Sequence, residues 1–345
     1  MRNLLLIVPL LAIVAAISAA SLDRRRDTFS EPQSLLLFSG DFGNFLIAAP
    51  NSNLAVPHPP GAIIESSSPL PALAPAGDQV AVSYRLPDDQ GSTVCHPSWP
   101  VSGPNKPVIY KSVLGIYSLR EKRWKLYGDF CFVGSAAFSP DGNNVAFKAT
   151  IRSGDPRFPS LPYPDELLIL DLRTGQFKVV PDTASVMGNR LLSWSPDGQY
   201  LAISQTSSAE KSPGTIVLIQ IGTWAKKNIA VGESPSWSPK GDWIAYLANW
   251  GRTCVIIHPD GTGSKAILDT QGRPGGWLFY GWIGWSADED RLLLNEEQLD
   301  GPASEVTMLN VSNGQAMIKS TNGEPVWGWA AIARGDVGHF GLRLM

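Results

Sequence analysis

From Leu191 to Ser204 the chain reads LLSWSPDGQYLAIS, and Leu192, Trp194, Leu201 and Ile203 alternate with small or polar residues. Alternation with period two is the pattern of a strand with one face against a core. Between the two apolar pairs lies Ser-Pro-Asp-Gly. Pro196 has a fixed φ and no N–H, which suits the first corner of a turn. Asp197 can bond its own backbone two residues on, and Gly198 supplies a positive φ. The segment therefore predicts two short strands joined by a tight turn.

The same phrase recurs. SWSPKGDWIAYLAN spans Ser236–Asn249, AAFSPDGNNVAFKA spans Ala136–Ala149, and IGWSADEDRLLLNE spans Ile283–Glu296 with a degraded turn. Weaker copies begin at Pro71 (PALAPAGDQVAVSY) and Val326 (VWGWAAIARGDVGHF). Aligned on Leu73, Phe138, Trp194, Trp237, Trp285 and Trp329, the copies are spaced 65, 56, 43, 48 and 44 residues apart. Two more strand-like runs follow each phrase, as in ELLILDLRTGQFKVV (Glu166–Val180) and TIVLIQIGTWAKKNIAV (Thr215–Val231). The unit is thus four antiparallel strands. One such sheet has two apolar faces, and copies stacked radially about an axis bury both.

The expected fold is all-β: a six-bladed β-propeller of four-stranded antiparallel blades, preceded by an N-terminal apolar helix. Blades start near residues 71, 135, 191, 234, 282 and 325, within a single domain over 34–345. The last blade has only Val326–Ile332 and Gly338–Leu344 before the chain ends, so Ser34–Ser39 and Asn44–Pro50 are expected to complete it and close the ring. Residues 51–70 then read as a Pro/Ser-rich crossing into the first blade. Trp194, Trp237 and Trp285 occupy one point of the unit and are expected to wedge between neighbouring blades.

Composition agrees: 33 Gly and 28 Pro imply many tight turns, and 12 Trp imply large buried wedges. The net charge of −3 gives no reason to expect a nucleic-acid partner. Residues 3–22 carry no charge and end in small residues at Ser18 and Ala20. Residues 1–20 are therefore expected to be a signal peptide or a membrane anchor, and 21–33 a linker. Arg24–Arg26 would favour a cytoplasmic C-terminal side if the segment stays as an anchor. Export is the preferred reading, to the periplasm, the cell surface or the medium.

Of the three cysteines, Cys95 and Cys131 are the expected bridge in an oxidising compartment, with three unpaired thiols as the alternative. No C-x-x-C spacing, no G-x-S-x-G elbow and no calcium loop is present. The four histidines lie in unrelated segments. The carboxylates of DEDR (Asp288–Arg291) and NEEQ (Asn295–Gln298) read as solvated turn or edge residues. No metal, cofactor or catalytic residue is assigned.

WSPDGQYLAIS, FSPDGNNVAFK and IIHPDGTGSKAIL resemble the repeats of the TolB-type propeller. Blades of that family carry the Ser-Pro-Asp-Gly turn and a later strand ending in Asp-Gly-Thr/Ser-Gly. The similarity covers roughly residues 71–330. It implies a propeller fold, and a repeat shared by Tol–Pal periplasmic proteins, peptidase propeller domains and stand-alone exported proteins. TolB itself adds an N-terminal α/β domain, for which there is no room between Ala20 and Pro71.

In a four-stranded blade, the loops joining the second and third strands leave one end of the ring, as do the links between blades. Long loops collect there, at Arg85–Pro107, Ile151–Glu166, Thr206–Gly214 and Glu296–Ser304, with an aromatic link at Asp269–Trp282. Loops on a rigid scaffold carry binding. Trp99, Arg157, Phe158, Tyr163, Arg273, Trp277 and Tyr280 are the candidate contacts, since aromatics and arginine dominate interface hot spots. The alternative for the same loops is packing on one another, with Trp99 and Trp277 as plugs. The expected function is non-catalytic binding of a protein, peptide or glycan, with possible membrane association through residues 3–22. Two rivals are an enzyme using the central channel and an anchored, cytoplasm-facing scaffold.

Overall fold

The computed structural model describes residues 34–39, 45–49, 52–62, 71–87, 110–151, 165–183, 192–205, 214–286, 288–299, 304–320 and 326–331. The expected N-terminal helix lies outside these residues.

The turns form as their residues dictate. Gly142, Gly198 and Gly241 have φ of 67°, 70° and 88°. Asp141 Oδ1 accepts the Asn143 N–H at 3.0 Å, and Asp197 Oδ1 accepts the Gln199 N–H at 2.9 Å, each two residues on. The serine has a part that its turn propensity does not announce. Oγ of Ser139, Ser195, Ser238 and Ser286 accepts the N–H five residues later, at 2.8–3.0 Å, so it ties the two strand ends across the turn. In the degraded copy Glu289 occupies the glycine position at φ 67°.

The strands in chain order are β1 (Ser34–Ser39), β2 (Phe45–Ala49) and β3 (Ser52–Val56), then β4 (Ala72–Leu73), β5 (Gln79–Pro87), β6 (Tyr110–Ser118) and β7 (Arg123–Phe130). Next come β8 (Phe132–Phe138), β9 (Asn144–Thr150), β10 (Asp165–Asp171) and β11 (Phe177–Val179), then β12 (Leu192–Trp194), β13 (Tyr200–Gln205), β14 (Thr215–Gln220) and β15 (Lys226–Val231). The last are β16 (Glu233–Trp237), β17 (Ile244–Ala248), β18 (Thr253–Ile257), β19 (Lys265–Asp269), β20 (Trp277–Trp285), β21 (Arg291–Gln298), β22 (Ser304–Asn310), β23 (Ala316–Ser320) and β24 (Val326–Ala331).

All described sheets are antiparallel and four-stranded, with no helix among the described residues. Strands β4–β7, β8–β11, β12–β15, β16–β19 and β20–β23 form sheets I to V, and β24-β1-β2-β3 form a terminal sheet. Both chain ends therefore share one sheet, in the register Leu35↔Ala330 and Leu36↔Trp329. β24 also lies beside both β20 and β4. The share of the termini differs from the sequence expectation. Ser52–Val56, read as crossing, is a strand in full register with β2, so the N-terminal side supplies three strands rather than two. Gly338–Leu344 lies outside the described residues.

Consecutive sheets meet face to face, and period two divides each strand between two cores. Leu201, Ile203, Val217 and Ile219 of sheet III face sheet II, while Ala202, Ile216 and Leu218 face sheet IV. Ile244 and Tyr246 face sheet III, while Ala245 and Leu247 face sheet V. Burial on both faces explains strands such as ELLILD and TIVLIQ that are apolar almost throughout. Trp194 and Trp285, 9% and 7% exposed, are the expected wedges: each indole N–H donates at 3.1 Å to a carbonyl on the preceding sheet's first strand, Ala137 and Ser236.

Candidate partner-binding face

Antiparallel order sends the connections to two ends of each sheet. At the turn end lie the first-to-second and third-to-fourth strand turns. At the loop end lie the second-to-third connections and the links between sheets.

The best-described part of the loop end lies over sheets IV and V. The β17–β18 turn is Asn249-Trp250-Gly251-Arg252, with φ of 51°, 59° and 79° for the first three. Only glycine fits at position 251, because a Cβ there would lie 2.6 Å from Phe279 O. That close approach is a bond: Gly251 O accepts the Phe279 N–H at 2.6 Å. Thr270 joins the turn to the link, since its N–H donates to Arg252 O at 2.9 Å and its hydroxyl to Trp277 O at 2.6 Å.

Arg273 locks the link down. Its guanidinium pairs with the Glu296 carboxylate on β21 and, at 2.9 Å, with Glu305 on β22. Its Cζ sits 3.9 Å from the centre of the Trp277 ring. Glu296 is 1% exposed, so it is a buried ionic anchor and not the solvated edge residue that NEEQ suggested. Trp277 is 6% exposed, and its indole N–H donates to Pro274 O at 3.1 Å.

Of the candidate contacts, Arg273, Trp277 and Tyr280 are brought together around the start of β20. Trp277 and Tyr280 belong to that strand rather than to a link, because β20 continues through a bulge between Tyr280 and Ile283. Tyr280 is half-buried; burial first, and the Glu297 charge second, push its phenol up to about 12. Trp99, Arg157, Phe158 and Tyr163 lie outside the described residues. Cys131 is disulfide-bonded, and Cys95 lies outside the described residues. Cys254 is free and fully buried, which pushes its thiol up to about 12.

The same end carries an apolar display that sequence reasoning missed. Among the described residues four large apolar side chains are exposed, and three are at the loop end: Val231 (60%) at the end of β15, Trp250 (52%) and Leu299 (55%). Leu299 is tied to the link through its N–H, which donates to Gly276 O at 2.8 Å. The available signal was Asn-Trp-Gly between two strand patterns. A turn tip that needs positive φ ordinarily takes Gly, Asn or Asp, and here it holds an indole.

A second concavity, of about 330 Å³, lies among the first strands of sheets I to V. Trp194, Trp237 and Trp285 line it together with the turn prolines Pro140, Pro196 and Pro239, and among the described residues none that line it is charged.

This arrangement has counterparts among solved structures. The chain is similar to TolB from Acinetobacter baumannii at 16% identity, with a TM-score of 0.59 over 91% of this chain and 70% of that one. It is similar to a putative TolB from Agrobacterium tumefaciens at 14% identity and a TM-score of 0.55, covering 86% and 92% of the two chains. The chain has a TolB-like β-propeller fold. A chain of a nidogen/laminin complex shares the architecture at 10% identity and a TM-score of 0.57, over 87% of this chain and 98% of that one. By sequence, no family model and no curated protein matches. In this TolB-like propeller Trp194 and Trp285 are blade wedges, and among the described residues the exposed indole belongs to Trp250.

Proposed function

We propose that this chain is an exported, six-bladed TolB-like propeller, closed by pairing of its two ends, that binds a protein partner through its loop end without catalysis. The observation that carries the reading is the exposure of Val231, Trp250 and Leu299 at that end of three successive sheets, beside a link held rigid by Arg273, Glu296, Glu305 and Trp277. Exposed aromatic and aliphatic groups on a preorganised base keep the ordering cost of association low. Trp99, Arg157, Phe158 and Tyr163 extend the contact on neighbouring loops, and Tyr280 borders it. The uncharged cavity lining supports binding over acid–base chemistry at the same axis. β24 between β20 and β4 supports ring closure. A bound Cys131 and a free Cys254 support the Cys95–Cys131 bridge and an oxidising compartment.

The test is photocrosslinking in the native host, with a benzophenone side chain at position 231, 250 or 299 and a turn-end control at 143. One discrete adduct from the first three and none from the control is expected. The same adduct from position 143, or no adduct at all, sinks the reading. Intact mass of the native protein checks export: a mature chain starting at Ser21 supports it, and a full-length chain in the membrane pellet overturns it.

A further inference from the structure

The fourth strands carry a lysine on one equivalent rung: Lys178 opposite Ile169, Lys227 opposite Leu218 and Lys265 opposite Ile256. Each reaches the third-to-fourth strand turn of the next sheet. Between sheets III and IV, Lys227 Nζ donates to Asp260 O at 2.7 Å. Between sheets IV and V, Lys265 Nζ donates to Ser312 O at 3.1 Å. Between sheets II and III the partner is different. Lys178 Nζ lies 4.6 Å over the Trp224 ring, and a cavity of about 580 Å³ opens beside it.

Trp224 stands where its backbone calls for glycine. Its N–H donates to Gln220 O, as Gly175 donates to Asp171 O and Gly314 to Asn310 O in the matching turns. All three have positive φ, 61° for Trp224 against 74° and 69° for the glycines. Left-handed backbone is unfavourable for a bulky residue, and such strain concentrates where a side chain is needed. The chain thus bears a local cost that places an indole in this groove.

We propose that the groove between sheets II and III is a binding site for a neutral pyranose sugar. Trp224 and Trp194 both line it, together with Asp141, Asp197, Asn144 and Lys178. Flat apolar rings beside ionised acceptors, an amide and an ammonium match a ligand with an apolar face and a rim of hydroxyls. Opposed charges on the wall disfavour a strongly charged ligand. Asp197 has acceptor capacity to spare: Oδ1 takes the Ser195 hydroxyl at 2.6 Å and the Gln199 N–H at 2.9 Å, and Oδ2 has no partner among the described residues. The volume lies within the range of small-ligand sites. The groove is at the turn end, so the site is separate from the partner-binding face.

The test is saturation-transfer NMR of the full chain with glucose, galactose and N-acetylglucosamine, each at millimolar concentration. Transfer to ring protons of at least one sugar is expected, weakened at least about tenfold in affinity in both Trp224→Gly and Asp197→Asn. The first variant suits the backbone, and the second keeps the Oδ1 acceptor, so circular dichroism is expected to match wild type. Lys227→Met, at the closed seam, is expected to bind as wild type does. Absence of transfer from every sugar overturns the proposal, as does wild-type binding by folded Trp224→Gly. Preferential binding of a lysine-rich peptide, lost in salt, overturns it in favour of a cationic ligand.

Discussion

The two ends of this propeller solve the same problem in opposite ways. At the turn end three of the first-to-second strand turns use one local device: a serine hydroxyl and an aspartate carboxylate, two residues apart, take up backbone N–H groups of the same turn. Ser139 with Asp141, Ser195 with Asp197 and Ser286 with Asp288 repeat the device. At the loop end over sheets IV and V, the connections hold one another. Arg273 reaches to β21 and β22, and Thr270 reaches to a turn on one side and a strand on the other. A device complete within one turn is easily copied. Mutual satisfaction makes a unique surface, which is what a specific contact requires.

The comparison breaks most sharply at Arg273. Arg273→Met removes the Arg273 guanidinium from Glu296 and Glu305, and breaking a buried pair costs about 3 kcal/mol or more. The lower figure applies because the arginine side chain is 28% exposed. A drop in melting temperature, with faster hydrogen exchange at Phe279, is the expected readout, and an unchanged melt would refute the brace. Smaller is Ser195→Ala, which strands the Tyr200 N–H and costs about 1–2 kcal/mol. Its exchange effect is expected to stay within sheet III, whereas that of Arg273→Met spreads over two sheets.

Acid sharpens the contrast further. The Ser139 hydroxyl first, then Asn143, hold the Asp141 carboxyl below its ordinary 3.8, and the Ser286 hydroxyl does the same for Asp288. A carboxyl depressed in the folded state stabilises above its unfolded value, and that contribution is lost as pH falls through the folded value. Denaturant midpoints are therefore expected to fall as the pH drops below the ordinary carboxylate value, less steeply in Ser139→Ala and Ser286→Ala. An equal slope in those variants contradicts the assignment. Smallest of all is Trp250→Ala, expected to change stability by no more than about 0.5 kcal/mol while removing the partner adduct at position 299.

How much of this could be read from the residues follows the same division. The Ser-Pro-Asp-Gly turn was legible because its requirements are local: a fixed φ, a side-chain acceptor and a positive φ lie within four residues. The propeller followed from its recurrence. β3 was not legible, because Ser52–Val56 has two polar residues in five and becomes a strand through pairing with β2. The brace was not legible either, since Glu296 and Glu305 lie 23 and 32 residues from Arg273. Sequence reasoning read Arg273 and Trp277 as contacts, but not that Trp277 is buried and that Arg273 is tied to Glu296 and Glu305. Trp250 was overlooked because a short hairpin tip draws no attention when long loops compete for it.

The pairing of β1 with β24 also has a consequence in time. β1 leaves the ribosome roughly three hundred residues ahead of its partner. Until then the strand presents a row of unsatisfied N–H and C=O groups. Pairing of such high sequence separation is slow, and the bare edge is open to wrong partners for as long as it waits. The terminal sheet, which covers that edge once β24 has paired, is therefore most vulnerable to a second nascent copy of itself while it is being made.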